Sequence, residues 1–273
     1  MLISTKGIVL KETLLPSDDR LITILTSEYG KISVFASSSK KKRSAFASAT
    51  DLFCYTSFVL FKSSKDKYYI NSADSETLFF GIRCDIEKVS LASYFAELCC
   101  DMTPENEEQP ELMRLFLNCL HFLDKDLMSL TQLKAIFELR FACINGYMPD
   151  LVACCGCGVY ECDTMYFSYK TGKIFCENCR PNQGEIPISK SILYAMRFIC
   201  YSPFEKIFSF SLSDENINQL SYTTENYLIF ISEKRPQTLD FYNELLASTK
   251  RINEKINKIT EGKWVIHKFI QIA

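Results

Sequence analysis

Histidine is almost missing from this chain: among its 273 residues only His121 and His267 occur. Neither begins an H-x-E element, so the zinc-deaminase kind of site, which sets a histidine ligand and a glutamate beside paired cysteines, is excluded. A G-x-x-x-x-G-K-[ST] loop is also lacking, which removes P-loop nucleotide hydrolysis. No run reaches the about 18 consecutive apolar residues of a membrane helix. The stretch Met1–Leu10 lacks the basic, apolar and small-residue order of a signal peptide. The expectation is a cytoplasmic protein with no membrane partner. Internal repeats and long low-complexity tracts are missing as well.

An excess of positive charge is another absence. The formal net charge is −2, so any nucleic-acid contact must use a local basic patch. Residues 1–80 hold 11 Lys and Arg against 8 Asp and Glu, a local +3. The most biased segment lies there: Ser37-Ser38-Ser39-Lys40-Lys41-Lys42-Arg43-Ser44. Four adjacent cations in a serine-rich setting are a natural partner for phosphates, because counterion release favours such binding. A solvated surface loop is the plainer reading of the same run.

Cysteine is abundant, with 13 copies. An odd number spread over a long chain argues against a disulfide framework. Cys54, Cys84, Cys99, Cys100, Cys119, Cys143 and Cys200 sit in apolar stretches and read as small buried hydrophobes. The others cluster. Cys154-x2-Cys157 is followed after 18 residues by Cys176-x2-Cys179. Each C-x-x-C turn brings two sulfurs to one side of a tight loop. Two such loops facing each other make a tetrahedral Zn2+ site with Zn–S of ~2.3 Å. Four thiolates leave no open position, so the zinc reads as structural. Cys155 and Cys162 are nearby competitors for ligation, and a metal-free redox dithiol pair is the competing reading of the spacing.

Strand signals fill residues 1–80. Leu2–Leu10 is rich in aliphatic and β-branched residues, and Arg20–Ala36 reads as a hairpin turning at Glu28-Tyr29-Gly30-Lys31. Asp51–Lys62 and Lys67–Ser72 supply two more strands. Five short strands in about 80 residues suggest a small barrel. Phe35, Phe46, Phe53, Tyr55 and Phe58 lie within it and read as core before they read as a stacking platform. Helical periodicity follows over Ile86–Met102, Pro110–Leu123, Ser129–Asn145, Ser189–Cys200, Ser213–Ser232 and Thr238–Ile259. Ser129 or Thr131 can cap the third of these, and Gly146 with Pro149 can end it.

Several segments together resemble the bacterial recombination mediator family RecO. They are Gly7-Ile8-Val9-Leu10, Thr26 with Gly30, the Lys40–Ser44 basic stretch, and Tyr94 with Glu97-Leu98. Phe137-Glu138-Leu139-Arg140 followed by Gly146-Tyr147-Met148-Pro149-Asp150-Leu151 leads into the first cysteine pair. Gly172–Cys179 and Ile186–Ser189 complete the likeness, which covers about residues 1–200. The resemblance implies an α+β fold: an N-terminal OB-fold β-barrel, then an all-helical domain carrying a four-cysteine zinc module. The divisions expected are 1–80, 81–150, 151–186 and 187–273. It implies a non-enzymatic DNA-repair role, nucleoid-associated in the cytoplasm. That role is binding of single- and double-stranded DNA, annealing of complementary strands, and loading of the RecA recombinase together with RecR on DNA coated by single-stranded-DNA-binding protein. Lys40, Lys41, Lys42 and Arg43 are the DNA-contact residues implied. The alternative is a zinc-stabilised protein-interaction scaffold that does not touch DNA. Two features depart from the family: serines flank the basic loop where glycine is usual, and the last 70 or so residues carry no alignable motif. There Lys250, Arg251, Lys255, Lys258, Lys263 and Lys268 can meet an acidic tail or simply form a solvated face.

Overall fold

The computed structural model describes residues 1–16, 19–36, 46, 48–249, 251 and 252. Five N-terminal strands close into a barrel: β1 (Leu2–Leu14), β2 (Arg20–Thr26), β3 (Gly30–Ala36), β4 (Tyr55–Lys62) and β5 (Tyr68–Thr77), in the order β1-β2-β3-β5-β4. The long β1 makes closure possible. Its first half pairs with β4 from Leu2↔Phe61 to Ile8↔Tyr55, and its second half pairs with β2. A bulge between Val9 and Lys11 bends it from one partner to the other. The seam is sealed by the parallel pairs Val34↔Tyr68 and Phe35↔Tyr69.

Alternation places Ile3, Val9, Ile22, Ile24, Ile32, Val34, Phe58, Leu60 and Ile70 inside the barrel. Asp51–Lys62 does not run as one strand. Phe53 takes a left-handed φ of 60°, a turn occupies Asp51–Phe53, and β4 starts only at Tyr55.

The helical body comprises α1 (Phe80–Arg83), α2 (Ile86–Met102), α3 (Pro110–Asp124), α4 (Leu130–Ile144), α5 (Lys190–Tyr201), α6 (Asp214–Ile231) and a last helix whose described part spans 237–249. Their starts are set by side chains that take up the free N–H groups of the first turn. Asp85 accepts from Glu87 and Lys88, Ser129 from Gln132, Ser189 from Ile192 and Ser213 from Asn216. Gly146, at φ +86°, closes α4 in the conformation a side chain disfavours. Among the described residues no helix is long and apolar enough to cross a membrane.

Barrel and helices share a core. Ile8, Leu10, Leu25 and Phe53 from the barrel belong to the same apolar cluster as Leu91, Phe95, Phe116, Phe137 and Phe141. The rings of Phe95 and Phe137 stack with centroids 3.9 Å apart. Backbone contacts reinforce this junction: Asn106 N–H donates to Lys31 O (3.1 Å) and Gln109 N–H to Ser27 O (2.9 Å). The buried Lys31 ammonium donates to the carbonyl of Cys100. Gly30 lies at this contact with φ +58°, and a Cβ there would fall 1.8 Å from the carbonyl oxygen of Glu107. The Thr26 hydroxyl completes the turn, donating to Gly30 O and accepting from Tyr29 N–H.

Candidate functional site

The cysteine-rich segment is built on a three-stranded sheet, β7-β6-β8, of β6 (Thr164–Ser168), β7 (Lys173–Phe175) and β8 (Ile186–Ser189). The β6–β7 hairpin delivers Cys176 one residue past its second strand. The first knuckle is held to that strand by Cys155 N–H donating to Ile174 O at 2.9 Å. Within the knuckle, Cys154 N–H donates to Val159 O (2.8 Å) and Gly158 N–H to Cys154 O (2.9 Å). Gly156 permits the second knuckle's approach, since a Cβ there would lie 2.8 Å from Cys179 Cβ.

As a result the sulfurs of Cys154, Cys157, Cys176 and Cys179 converge, all within 4.8 Å of one another. Cys155 and Cys162 are not members of this cluster. Four sulfurs placed tetrahedrally ~2.3 Å from one ion would be about 3.8 Å apart, and the Cys157 and Cys176 sulfurs are separated by 3.7 Å. The donor set and its spacing therefore fit a tetrahedral thiolate-binding cation.

The electrostatics point the same way. Burial pushes the Cys154 thiol up, yet N–H donors from Cys176, Cys157 and Gly156 outweigh it and hold it at about 6. The Cys176 N–H lies 3.2 Å from that sulfur. Cys179, next to the sulfurs of Cys176 and Cys157, is pushed up to about 12. One thiolate is stabilised while a neighbour resists ionising, because hydrogen bonds to the sulfurs of Cys176 and Cys157 hold its proton in place. A divalent cation removes that conflict.

The site is anchored in the body of the protein. Cys154 and Cys176 are buried in the shared core beside Met165, Phe167 and Ile174. Arg197 on α5, itself 7% exposed, donates to three carbonyls around the first knuckle: Leu151 (2.7 Å), Val152 (2.9 Å) and Tyr160 (2.7 Å). The sequence reading missed Arg197. Its signal was weak: a lone arginine on the otherwise apolar stretch Ile192–Cys200.

The helical body holds a buried polar network. Glu138 on α4 is fully buried and meets Lys134 at 2.8 Å. It also accepts from the hydroxyls of Tyr94 (2.8 Å) and Thr224 (2.6 Å). Lys134 reaches Glu225 at 2.9 Å. Burial pushes the Glu138 carboxyl up, and the Lys134 charge offsets only part of that rise. Arg140 donates to the carbonyls of Ile199 and Cys200 at the end of α5. Glu97 accepts the N–H groups of Gln237 and Thr238 at the start of the last helix. Tyr94, Glu97, Glu138 and Arg140 thus clamp together α2, α4, α5, α6 and the last helix.

The other predicted site, Lys40, Lys41, Lys42 and Arg43, lies outside the described residues, as do Lys250, Lys255, Lys258, Lys263 and Lys268. Of the five barrel aromatics, Phe53 and Phe58 are buried, and Phe46 packs against the barrel core. Tyr55 packs against the helical core, while Phe35 lies on the outer wall and stacks on Tyr69.

The family model "Recombination protein O N terminal" matches residues 1–79, and "Recombination protein O C terminal" matches residues 83–239. The chain is similar to the DNA repair protein RecO of Acetivibrio thermocellus, 35% identical over 244 residues, or 89% of this chain and 97% of that protein. It is 28% identical to the DNA repair protein RecO of Clostridium novyi, over 89% of this chain and 94% of that one. For the DNA repair protein RecO of Dehalococcoides mccartyi (strain ATCC BAA-2266) the figures are 29%, 88% and 95%. The chain belongs to the RecO family of DNA repair proteins.

Proposed function

We propose that this protein is a non-enzymatic recombination mediator that binds single- and double-stranded DNA, anneals complementary strands and, with RecR, helps load RecA on DNA coated by single-stranded-DNA-binding protein. The observation that carries the reading is the closed barrel of order β1-β2-β3-β5-β4 in a member of this family. Small barrels of this kind bind nucleic acid with a basic groove and aromatic stacking. The division of labour follows the sequence: residues 1–80 take DNA, 151–186 form the metal module, and 81–150 with 187–273 form the supporting helices.

Zinc is the cation that best suits the four thiolates of Cys154, Cys157, Cys176 and Cys179. Full thiolate ligation leaves no position for substrate, so its role is to hold the two knuckles together inside the core. Positive charge for phosphate contact comes from Lys40, Lys41, Lys42 and Arg43. At ~0.7 per phosphate on single strands, four contacts contribute about 3 to the log–log salt slope of binding.

The test is binding of a labelled oligonucleotide across a salt series, with annealing of complementary strands measured without ATP. Replacing Lys40–Arg43 by alanine is expected to reduce the slope by about 3. Absence of binding at low salt and micromolar protein would overturn the DNA reading in favour of a protein scaffold.

A further inference from the structure

The strand register lines up five outward apolar side chains in one row around the barrel. Leu21 on β2 lies opposite Phe35 on β3, Phe35 beside Tyr69 on β5, Tyr69 opposite Phe61 on β4, and Phe61 opposite Leu2 on β1. Their chain neighbours Ile22, Val34, Ile70, Leu60 and Ile3 are buried, which fixes the row on the outside. Tyr69, Phe61 and Leu2 are 40%, 47% and 59% exposed. The rings of Phe35 and Tyr69 are already stacked, with centroids 5.3 Å apart and planes 24° from parallel. The ammonium of Lys67 lies 5.4 Å from the Phe35 ring, and that of Lys62 lies 5.4 Å from Tyr68.

Large apolar groups left in contiguous exposure mark a binding surface. Three features choose its occupant. The row is a single residue wide, and the next outward positions are Thr23, Ser33, Asn71 and Ser4, with only Val59 apolar. Such a strip is too narrow for a protein partner, which needs about 800 Å² on each side. Lys67 at its border suits phosphate, whereas the Lys62 ammonium is paired with Asp66 at 3.1 Å. It also runs beside the β4–β5 loop, residues 63–67, the loop that in OB-type barrels flanks the oligonucleotide path.

We propose that Phe35, Tyr69 and Phe61 form a platform on which unpaired bases of single-stranded DNA stack, with Lys67 beside it holding a phosphate. The proposal rests on the DNA-binding reading above and adds the path the strand takes. Double-stranded DNA cannot use such a platform, because its bases are already stacked and paired. The platform therefore gives the barrel a preference for single strands that basic residues alone cannot supply.

The experiment uses the full chain, labelled oligothymidylate and a duplex of equal length at one salt concentration. The pair Tyr69→Ala/Phe61→Ala, both at exposed positions, is expected to weaken single-strand binding at least about tenfold. Duplex affinity and the salt slope should not change. Phe61→Trp should keep the affinity and gain an emission quenched by oligothymidylate. Wild-type single-strand affinity in the alanine pair, or equal losses on both DNAs, overturns the platform and leaves DNA binding intact. Failure of the wild-type protein to bind either DNA overturns the reading beneath it.

Discussion

Replacing Lys134 by methionine tests whether the buried network holds the helical body together. Lys134 is 2% exposed and Glu138 0%. Methionine fills the same channel but carries no charge. Glu138 would keep its hydroxyl donors, Tyr94 and Thr224, and lose its cation. Breaking one partner of a buried pair destabilises by about 3–5 kcal/mol. For a chain of this size that corresponds to a fall in Tm of roughly 6–20 °C. Adding Glu138→Gln removes the stranded charge while an amide oxygen still accepts a hydroxyl, so the double variant should recover a large part of the loss. The pH dependence has a definite sign. Burial already raises the Glu138 carboxyl above its ordinary range, and loss of Lys134 raises it further. The folded variant then binds that proton more tightly than the unfolded chain does. Stability falls as pH rises from the unfolded carboxylate range through the raised folded value, so the deficit should be smaller at pH 5 than at pH 8. Thermal unfolding of the four proteins of the double-mutant cycle, at both pH values, gives the coupling directly. A single-variant loss below about 1 kcal/mol with no recovery in the double variant would refute the argument.

Three further outcomes are expected. Metal analysis should find one zinc per chain, lost in Cys154→Ser or Cys176→Ser and retained in Cys155→Ser, because Cys155 lies outside the sulfur cluster. Gly30→Ala should lower stability by about 2–4 kcal/mol, since its Cβ meets the Glu107 carbonyl and its φ is positive. Gly184→Ala, with positive φ but open space around it, should show only the about 1–2 kcal/mol of backbone strain in the same denaturation series. Arg197→Lys cannot span the three carbonyls of Leu151, Val152 and Tyr160. It should lose about 1–3 kcal/mol and admit protease between residues 152 and 161 before any other cut.

What the sequence made legible is what short-range chemistry controls. The Ile86–Met102 helix is found at its predicted limits, and Ser129, at the start of the Leu130–Ile144 helix, accepts the capping N–H of Gln132. The two C-x-x-C pairs announced a common cluster because their spacing is itself the geometry. The hairpin over Arg20–Ala36 was visible from Gly30, although the neighbour that demands glycine there, the Glu107 carbonyl, comes from the loop before the Pro110–Asp124 helix, nearly 80 residues on. What stayed hidden depends on long-range packing. The buried Lys134 and Glu138 look in sequence like any exposed i,i+4 pair. Strand alternation told inside from outside only locally, so Phe35 read as core until the pairing with Tyr69 placed it on the outer wall. The sheet of Thr164–Ser168, Lys173–Phe175 and Ile186–Ser189 was not read as strands beyond its hairpin tip, because its outer partner returns only after the second cysteine pair.

The junction between the barrel and the helices has a practical consequence. A fragment ending near residue 80 would leave Ile8, Leu10, Leu25 and Phe53 facing water on one flank. Such a piece is destined to aggregate or to seek a substitute cover, so severing the chain there does not yield a free-standing barrel. Any load placed on the barrel is likewise felt by the helices behind it, as by two walls that share a beam.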